Sequence, residues 1–275
     1  MFAQFIADTE RRAQSANPGS TTDYTAPDGL RYCGVCRHPK QARIRKPECM
    51  GGGEMIVTVT CECVNRRNLA ESEEKRRMEC NSVRQRVFHG GIGAEQTFAR
   101  DDGKNPELTK LCRRYAEKFT LDSDWLLLYG VCDAGKSYMA AAVANALIDR
   151  GVSVIFTSIA EIQNRLWNTN DKAAVYDRLC ACGLLVIDDM FAERDSDYMN
   201  EIRFEVIDGR YRSGRPAVIT TNLTMSELQN PLTTARGRII SRLYERSIPV
   251  CCEGRARRKR QMNESAMERV RRLMD

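Results

Sequence analysis

The sequence predicts an α/β protein, a parallel sheet sandwiched between helices, preceded by a small N-terminal zinc-binding module. Three observations carry this. Short apolar runs bounded by glycine or polar residues alternate with longer helical segments, the pattern of a parallel sheet with crossover helices. One such run, Trp125-Leu126-Leu127-Leu128-Tyr129, passes directly into Gly130-Val131-Cys132-Asp133-Ala134-Gly135-Lys136-Ser137 and then into an Ala-rich segment, 138–148. Upstream, Cys33-Gly34-Val35-Cys36 and Cys61-Glu62-Cys63 bracket a loop-rich stretch too short to build a core of its own.

The chain has 275 residues, 42% hydrophobic and 29% charged, which suits one full core and a satellite module. A formal net charge of +6 permits contact with nucleic acid without requiring it. No apolar run approaches the roughly 20 residues of a transmembrane helix, so no membrane partner is expected. The first residues, Met1-Phe2-Ala3-Gln4-Phe5-Ile6-Ala7, soon meet Asp8 and Glu10. That start is neither basic nor long and apolar, so a secretory signal is not expected and a cytoplasmic location is. In a reducing compartment, twelve cysteines point to metal ligands or buried thiols rather than disulfides.

Four regions follow in order. Residues 1–30 form a polar N-terminal arm, in which Phe2, Phe5, Ile6, Arg11 and Arg12 suit a short amphipathic helix or a frayed terminus. Residues 31–66 form the zinc module. Cys33, Cys36, Cys61 and Cys63 can place four thiolates tetrahedrally around Zn²⁺, and the run 55–60 reads as the strand that delivers Cys61. Cys49 is a rival ligand and His38 a weaker one. The metal would supply the folding energy that so small a module lacks. Residues 67–93 read as a charged linker helix ending at Gly90-Gly91-Ile92-Gly93. Residues 94–275 form the large domain, with helices expected at 107–119, 158–168, 173–182 and 198–212, and strands at 152–157, 184–188 and 217–222. Cys180 and Cys182 lie at a helix end and read as core thiols; Trp167 and Tyr198 are candidate contacts for DNA, with core packing the default for Trp167.

The motifs carry the chemistry. Gly130 to Ser137 fits G-x-x-x-x-G-K-[ST], the phosphate-binding loop, in its required strand–loop–helix setting. Backbone N–H groups around Gly130, Asp133, Ala134 and Gly135, and the first helical turn through Tyr138, would cradle phosphate oxygens. Lys136 would reach the β- and γ-phosphates and Ser137 would sit on Mg²⁺. Leu184-Leu185-Val186-Ile187-Asp188-Asp189 fits the Walker B strand: Asp188 would hold Mg²⁺, and Asp189 would orient the attacking water. Asn222, ending the next strand, could face the γ-phosphate or that water. Phe98 could approach the nucleotide base, with core packing the default. Thr224-Met225-Ser226-Glu227 is a capping box and predicts a helix start. Arg238, Arg242 and Arg246 recur every fourth residue and share one helix face.

The order of the P-loop, the strand 184–189, Thr220-Thr221-Asn222 and Arg236-Gly237-Arg238-Ile239-Ile240-Ser241-Arg242-Leu243 resembles the DnaC/DnaI-type replicative helicase loaders and the related IstB-type transposition helper ATPases. The resemblance covers roughly residues 94–260. It implies a P-loop AAA+ three-layer sandwich with a parallel sheet and a reduced lid, binding ATP and Mg²⁺. By this resemblance Asn222 is sensor 1, Arg242 is an arginine finger supplied to a neighbouring subunit, and Arg257 is sensor 2, with Arg258 an equal candidate. The second acidic position is Glu in many members and Asp189 here. The Cys33–Cys63 module resembles the zinc-bearing domain some loaders use to grip the helicase.

The function so implied is an ATP-gated, DNA-stimulated ATPase that loads a hexameric DnaB-type replicative helicase onto single-stranded DNA and self-associates through its ATP interface. Two alternatives stand beside it: a transposition helper acting on a transposase, and a nucleotide-gated scaffold with little hydrolysis.

Overall fold

The computed structural model describes residues 22–47, 51–193 and 196–252. The chain divides into two compact units, Met1–Glu79 and Cys80–Asp275.

In the first unit, β1 (Tyr24–Thr25) pairs antiparallel with β2 (Arg31–Tyr32), and β3 (Gln41–Arg45) with β4 (Glu54–Thr58). Its buried apolar cluster among the described residues is Cys33, Cys61 and Val64. Polar pinning supplements so thin a core. Lys40 and Asp23 form an ion pair at 2.6 Å with both side chains nearly inaccessible, and Asp23 Oδ1 also accepts the Gly34 N–H at 3.2 Å. Helix α1 (Glu62–Val87) begins in this unit. The sequence placed the linker helix at 67–93. It begins at Glu62 because Cys61 C=O already accepts the N–H groups of Val64 and Asn65, which puts Cys63 in the opening turn.

The second unit is built on a five-stranded parallel sheet in the order β6-β7-β8-β5-β9. Its strands are β5 (Trp125–Tyr129), β6 (Val154–Ser158), β7 (Leu184–Asp188), β8 (Ala217–Thr221) and β9 (Ser247–Cys251). Helices α2 (Pro106–Lys118) and α3 (Lys136–Asp149) lie on one face. Helices α4 (Ile159–Trp167), α5 (Lys172–Ala181), α6 (Asp197–Arg212) and α8 (Thr234–Arg246), with the short α7 (Met225–Gln229), lie on the other. This is the three-layer sandwich. Strand alternation divides the core: Trp125, Leu127 and Tyr129 face one layer of helices, Leu126 and Leu128 the other.

Local sequence sets the helix ends. Ser158, Asp171, Ser196 and Thr233 each accept a backbone N–H as N-cap, and Thr224 with Glu227 completes the capping box. Cys182 is buried and Cys180 half-buried, as expected of core thiols. Trp167 is 64% exposed rather than packed in the core. Strand β9 is a sheet edge and contains Pro249. Cys252 N–H points inward to Tyr129 C=O at 2.8 Å. Backbone groups alternate along a strand, so the N–H that Pro249 lacks falls on the outer side. The reduced lid expected after β9 falls on 253–275, outside the described residues; among the described residues no helix is long and apolar enough to cross a membrane.

Candidate nucleotide site and cysteine cluster

The phosphate-binding loop joins β5 to α3. Gly130 has φ +120° and Gly135 φ +90°, conformations that glycine tolerates best. A Cβ on Gly130 would also meet Cys252 C=O at 2.9 Å. Asp133 takes φ +64° without being glycine, a strained position of the kind that clusters at ligand sites. Lys136 is buried, and its ammonium donates to the carbonyls of Gly130 at 3.0 Å and Val131 at 2.7 Å. The lysine therefore braces the turn whose amides face the cavity.

The sheet order explains the remaining geometry. Strand β8 lies between β5 and β7, so its polar end falls between the phosphate-binding loop and the acidic pair. The buried Thr220 hydroxyl donates to Asp188 Oδ1 at 2.6 Å, and Asp189 N–H donates to the same hydroxyl oxygen at 2.8 Å. Asp189 leaves the strand with φ +50°, and its Oδ1 accepts from the Asn222 amide at 3.2 Å. A cavity of about 590 Å³ collects these groups: its lining includes Cys132, Asp133, Gly135, Lys136, Ser137, Tyr138, Asp189 and Asn222. Ala134 is buried behind the loop, and Asp188 stands one residue back from the lining.

Two features go beyond the motifs themselves. Thr220 touches both aspartates; the pairing of Ile187 with Ile219 in adjacent strands places it beside Asp188, but nothing local in the sequence says so. The far wall comes from residues 92–102, including Glu95, Gln96, Arg100, Asp101 and Asp102. Helix α3 holds this wall: Tyr138 Oη donates to Thr97 C=O at 2.9 Å, and the Asn145 amide donates to Gly93 C=O at 2.9 Å and Gln96 C=O at 2.8 Å. Phe98 does not line the cavity. It packs into the α2/α3 layer with the Arg113 guanidinium 5.3 Å above its ring.

Arg242 does not line this cavity either. It lies on α8, ion-paired to Asp208 of α6 at 2.6 Å, with its guanidinium 4.7 Å from the Phe204 ring centroid. Arg257, Arg258 and Cys49 fall outside the described residues.

In the first unit the Sγ atoms of Cys33, Cys36, Cys61 and Cys63 all lie within 4.8 Å of one another. Cys61–Cys63 is 3.2 Å and Cys33–Cys63 is 3.6 Å. Those spacings exceed a disulfide bond of about 2.05 Å. They come near the roughly 3.8 Å between sulfurs that Zn–S bonds of about 2.3 Å impose in a tetrahedron. The donor set fits zinc. Backbone N–H groups, His38 first, hold the Cys36 thiol down to about 6, while its bond with Cys61 pushes Cys63 up to about 12. Four crowded thiols cannot all ionise together without a cation among them. His38 is turned elsewhere, with Nε2 3.0 Å from Glu62 and Nδ1 2.9 Å from Cys36 C=O.

A phosphate loop on one strand and an acidic pair two strands away, with a polar strand end between, define a P-loop nucleotide-binding fold. The chain belongs to the family described as IstB-like ATP binding protein, which matches residues 95–265. It is similar to the replicative helicase loader DnaC of Escherichia coli K12, 29% identical over 148 residues, covering 52% of this chain and 60% of that one. It is also similar to the replicative helicase loader DnaI of Bacillus subtilis 168, 24% identical over 232 residues, covering 77% of this chain and 72% of that one. A solved DnaI structure aligns with a TM-score of 0.49 at 23% identity, over 58% of this chain and 89% of that chain.

Proposed function

We propose that this chain is an AAA+ ATPase that loads a hexameric DnaB-type replicative helicase onto single-stranded DNA, with ATP gating its hold on the helicase. The convergence of Lys136, Ser137, Asp189 and Asn222 on one cavity, in a chain similar to helicase loaders, carries this reading. Lys136 and the loop amides around Gly130, Asp133, Ala134 and Gly135 bind the phosphates, and Tyr138 fixes the wall opposite. Asp188 and Ser137 offer the hard oxygen donors that Mg²⁺ prefers. When bound, the ion neutralises charge on the phosphates. Asp189 orients the attacking water and takes its proton, with Asn222 fixing the carboxylate. The shorter Asp reaches the cavity by leaving the strand in a left-handed turn.

Arg242 completes the site of a neighbouring subunit, and Arg257 serves as sensor 2. Cys33, Cys36, Cys61 and Cys63 hold structural zinc in the module 31–66. That module grips the helicase, the helix region 67–93 links it, and residues 94–275 act as the ATPase in the cytoplasm. Arg242→Ala is expected to keep ATP binding and to lose about 10³- to 10⁵-fold in DNA-stimulated turnover. Unchanged turnover would remove the finger assignment. Capture of purified hexameric helicase by the full chain should be stronger with ATP than with ADP. Loss of ATP dependence would overturn the gating. The family description keeps a second reading in view, in which the client is a transposase; offering both clients in one capture experiment separates them.

A further inference from the structure

We propose that Phe191 is a positioning residue that ties Asp189 to the arginine helix α8, so that the water-orienting carboxylate and the arginines move as one piece. The inference rests on the roles given above to Asp189 and Arg242. Strand β7 ends at Asp188. In the turn that follows, Asp189 has φ +50° and Phe191 φ +75°. Neither is glycine, and such conformations persist only where the surroundings impose them. The turn is closed by Ala192 N–H on Asp189 C=O at 3.0 Å and by Met190 N–H on Thr220 C=O at 2.8 Å.

Phe191 supplies the outer restraint. Two guanidiniums lie over its ring, Arg203 of α6 at 5.3 Å and Arg236 of α8 at 4.6 Å from the centroid. Both arginines are buried. Arg203 is ion-paired to Glu193 at 3.0 Å, and Glu193 also accepts the Ala160 N–H at the start of α4. A plain core position would be served by any apolar side chain. Cations on a ring are favourable only over an aromatic face, so this arrangement selects Phe, Tyr or Trp. Arg236 sits in the first turn of α8, where Thr233 caps its N–H, and the same helix carries Arg242. A shift of the Asp189 turn therefore bears on Arg236 and, through the rigid helix, on the arginine shown to a neighbouring subunit.

The test uses full-length protein and steady-state ATP hydrolysis with single-stranded DNA, beside binding of a fluorescent ATP analogue. Phe191→Leu is expected to lower turnover by about 10²-fold. KM and analogue affinity should stay within about twofold, because uniform binding is untouched. Phe191→Trp should restore most of the loss, and a merely space-filling role would not separate Leu from Trp. Arg236→Gln, which removes one of the two cations over the ring, should reproduce the Leu result if Phe191→Leu fails to fold. Mixing Phe191→Leu with Arg242→Ala subunits should leave turnover low, because the first cannot present its finger correctly. Wild-type turnover in Phe191→Leu, or turnover in the mixture clearly above that of either variant alone, overturns the proposal. Normal hydrolysis by Asp189→Asn would instead remove the reading of Asp189 on which it rests.

Discussion

The cysteine module and the large domain solve the same problem by opposite means. In the large domain each face of the sheet is packed by its own helical layer, and Trp125, Leu126, Leu127 and Leu128 are all completely buried. The module buries Cys33, Cys61 and Val64, and adds one ion pair, Asp23 with Lys40, sealed from solvent. One is held by area removed from water, the other by a few strong polar bonds beside a thiol cluster whose donor set suits a metal. Different perturbations should therefore dismantle them, and each can be tested separately.

The largest effect belongs to metal removal. Structural zinc contributes an apparent ~10–16 kcal/mol to folding in small modules. A strong chelator, or Cys61→Ser, should unfold the module and release the metal, while the large domain still binds an ATP analogue. Simultaneous loss of both, followed by circular dichroism and analogue fluorescence, would break the contrast.

Next comes Trp125→Ala, which removes the largest fully buried side chain of the sheet and its indole bond to Arg215 C=O at 2.9 Å. It should cost about 3–5 kcal/mol by denaturant unfolding of the large domain, with zinc content unaltered.

The smallest effect is at the capping box. Thr224→Ala should cost about 1 kcal/mol. The Thr224 N–H holds the Glu227 carboxyl below its ordinary value. That contribution is fully present above the unfolded-state value and is lost as the pH falls through the folded one. Thermal scans from neutral to acid pH should show the wild type converging on Glu227→Gln; a constant gap would remove the carboxylate from the account.

Much of this was legible in the chain. The strands 125–129 and 184–188 read correctly because a strand buried on both faces is apolar at every position, with polar residues at its end. The phosphate loop and acidic pair are set by local chemistry, so their spacing identified them. The neighbours of those residues were not legible. That β8 sits between β5 and β7 follows from a crossover with no local signal, so the bonds of Thr220 to both aspartates were not legible. The wall at 92–102 consists of short turns without periodicity, and Phe98 within it packs inward instead of reaching the cavity. Arg242 stood out only through the family resemblance, and its pairing with Asp208 and Phe204 depends on how α8 lies against α6. The C-x-C spacing of Cys61 and Cys63 looked unusual for a metal site, and becomes intelligible once α1 starts between them and turns the second thiol back to the cluster.

Pro249 has one further consequence. The outer rim of β9 lacks a donor at its midpoint, so a strand from another chain cannot zip along that side by main-chain bonding.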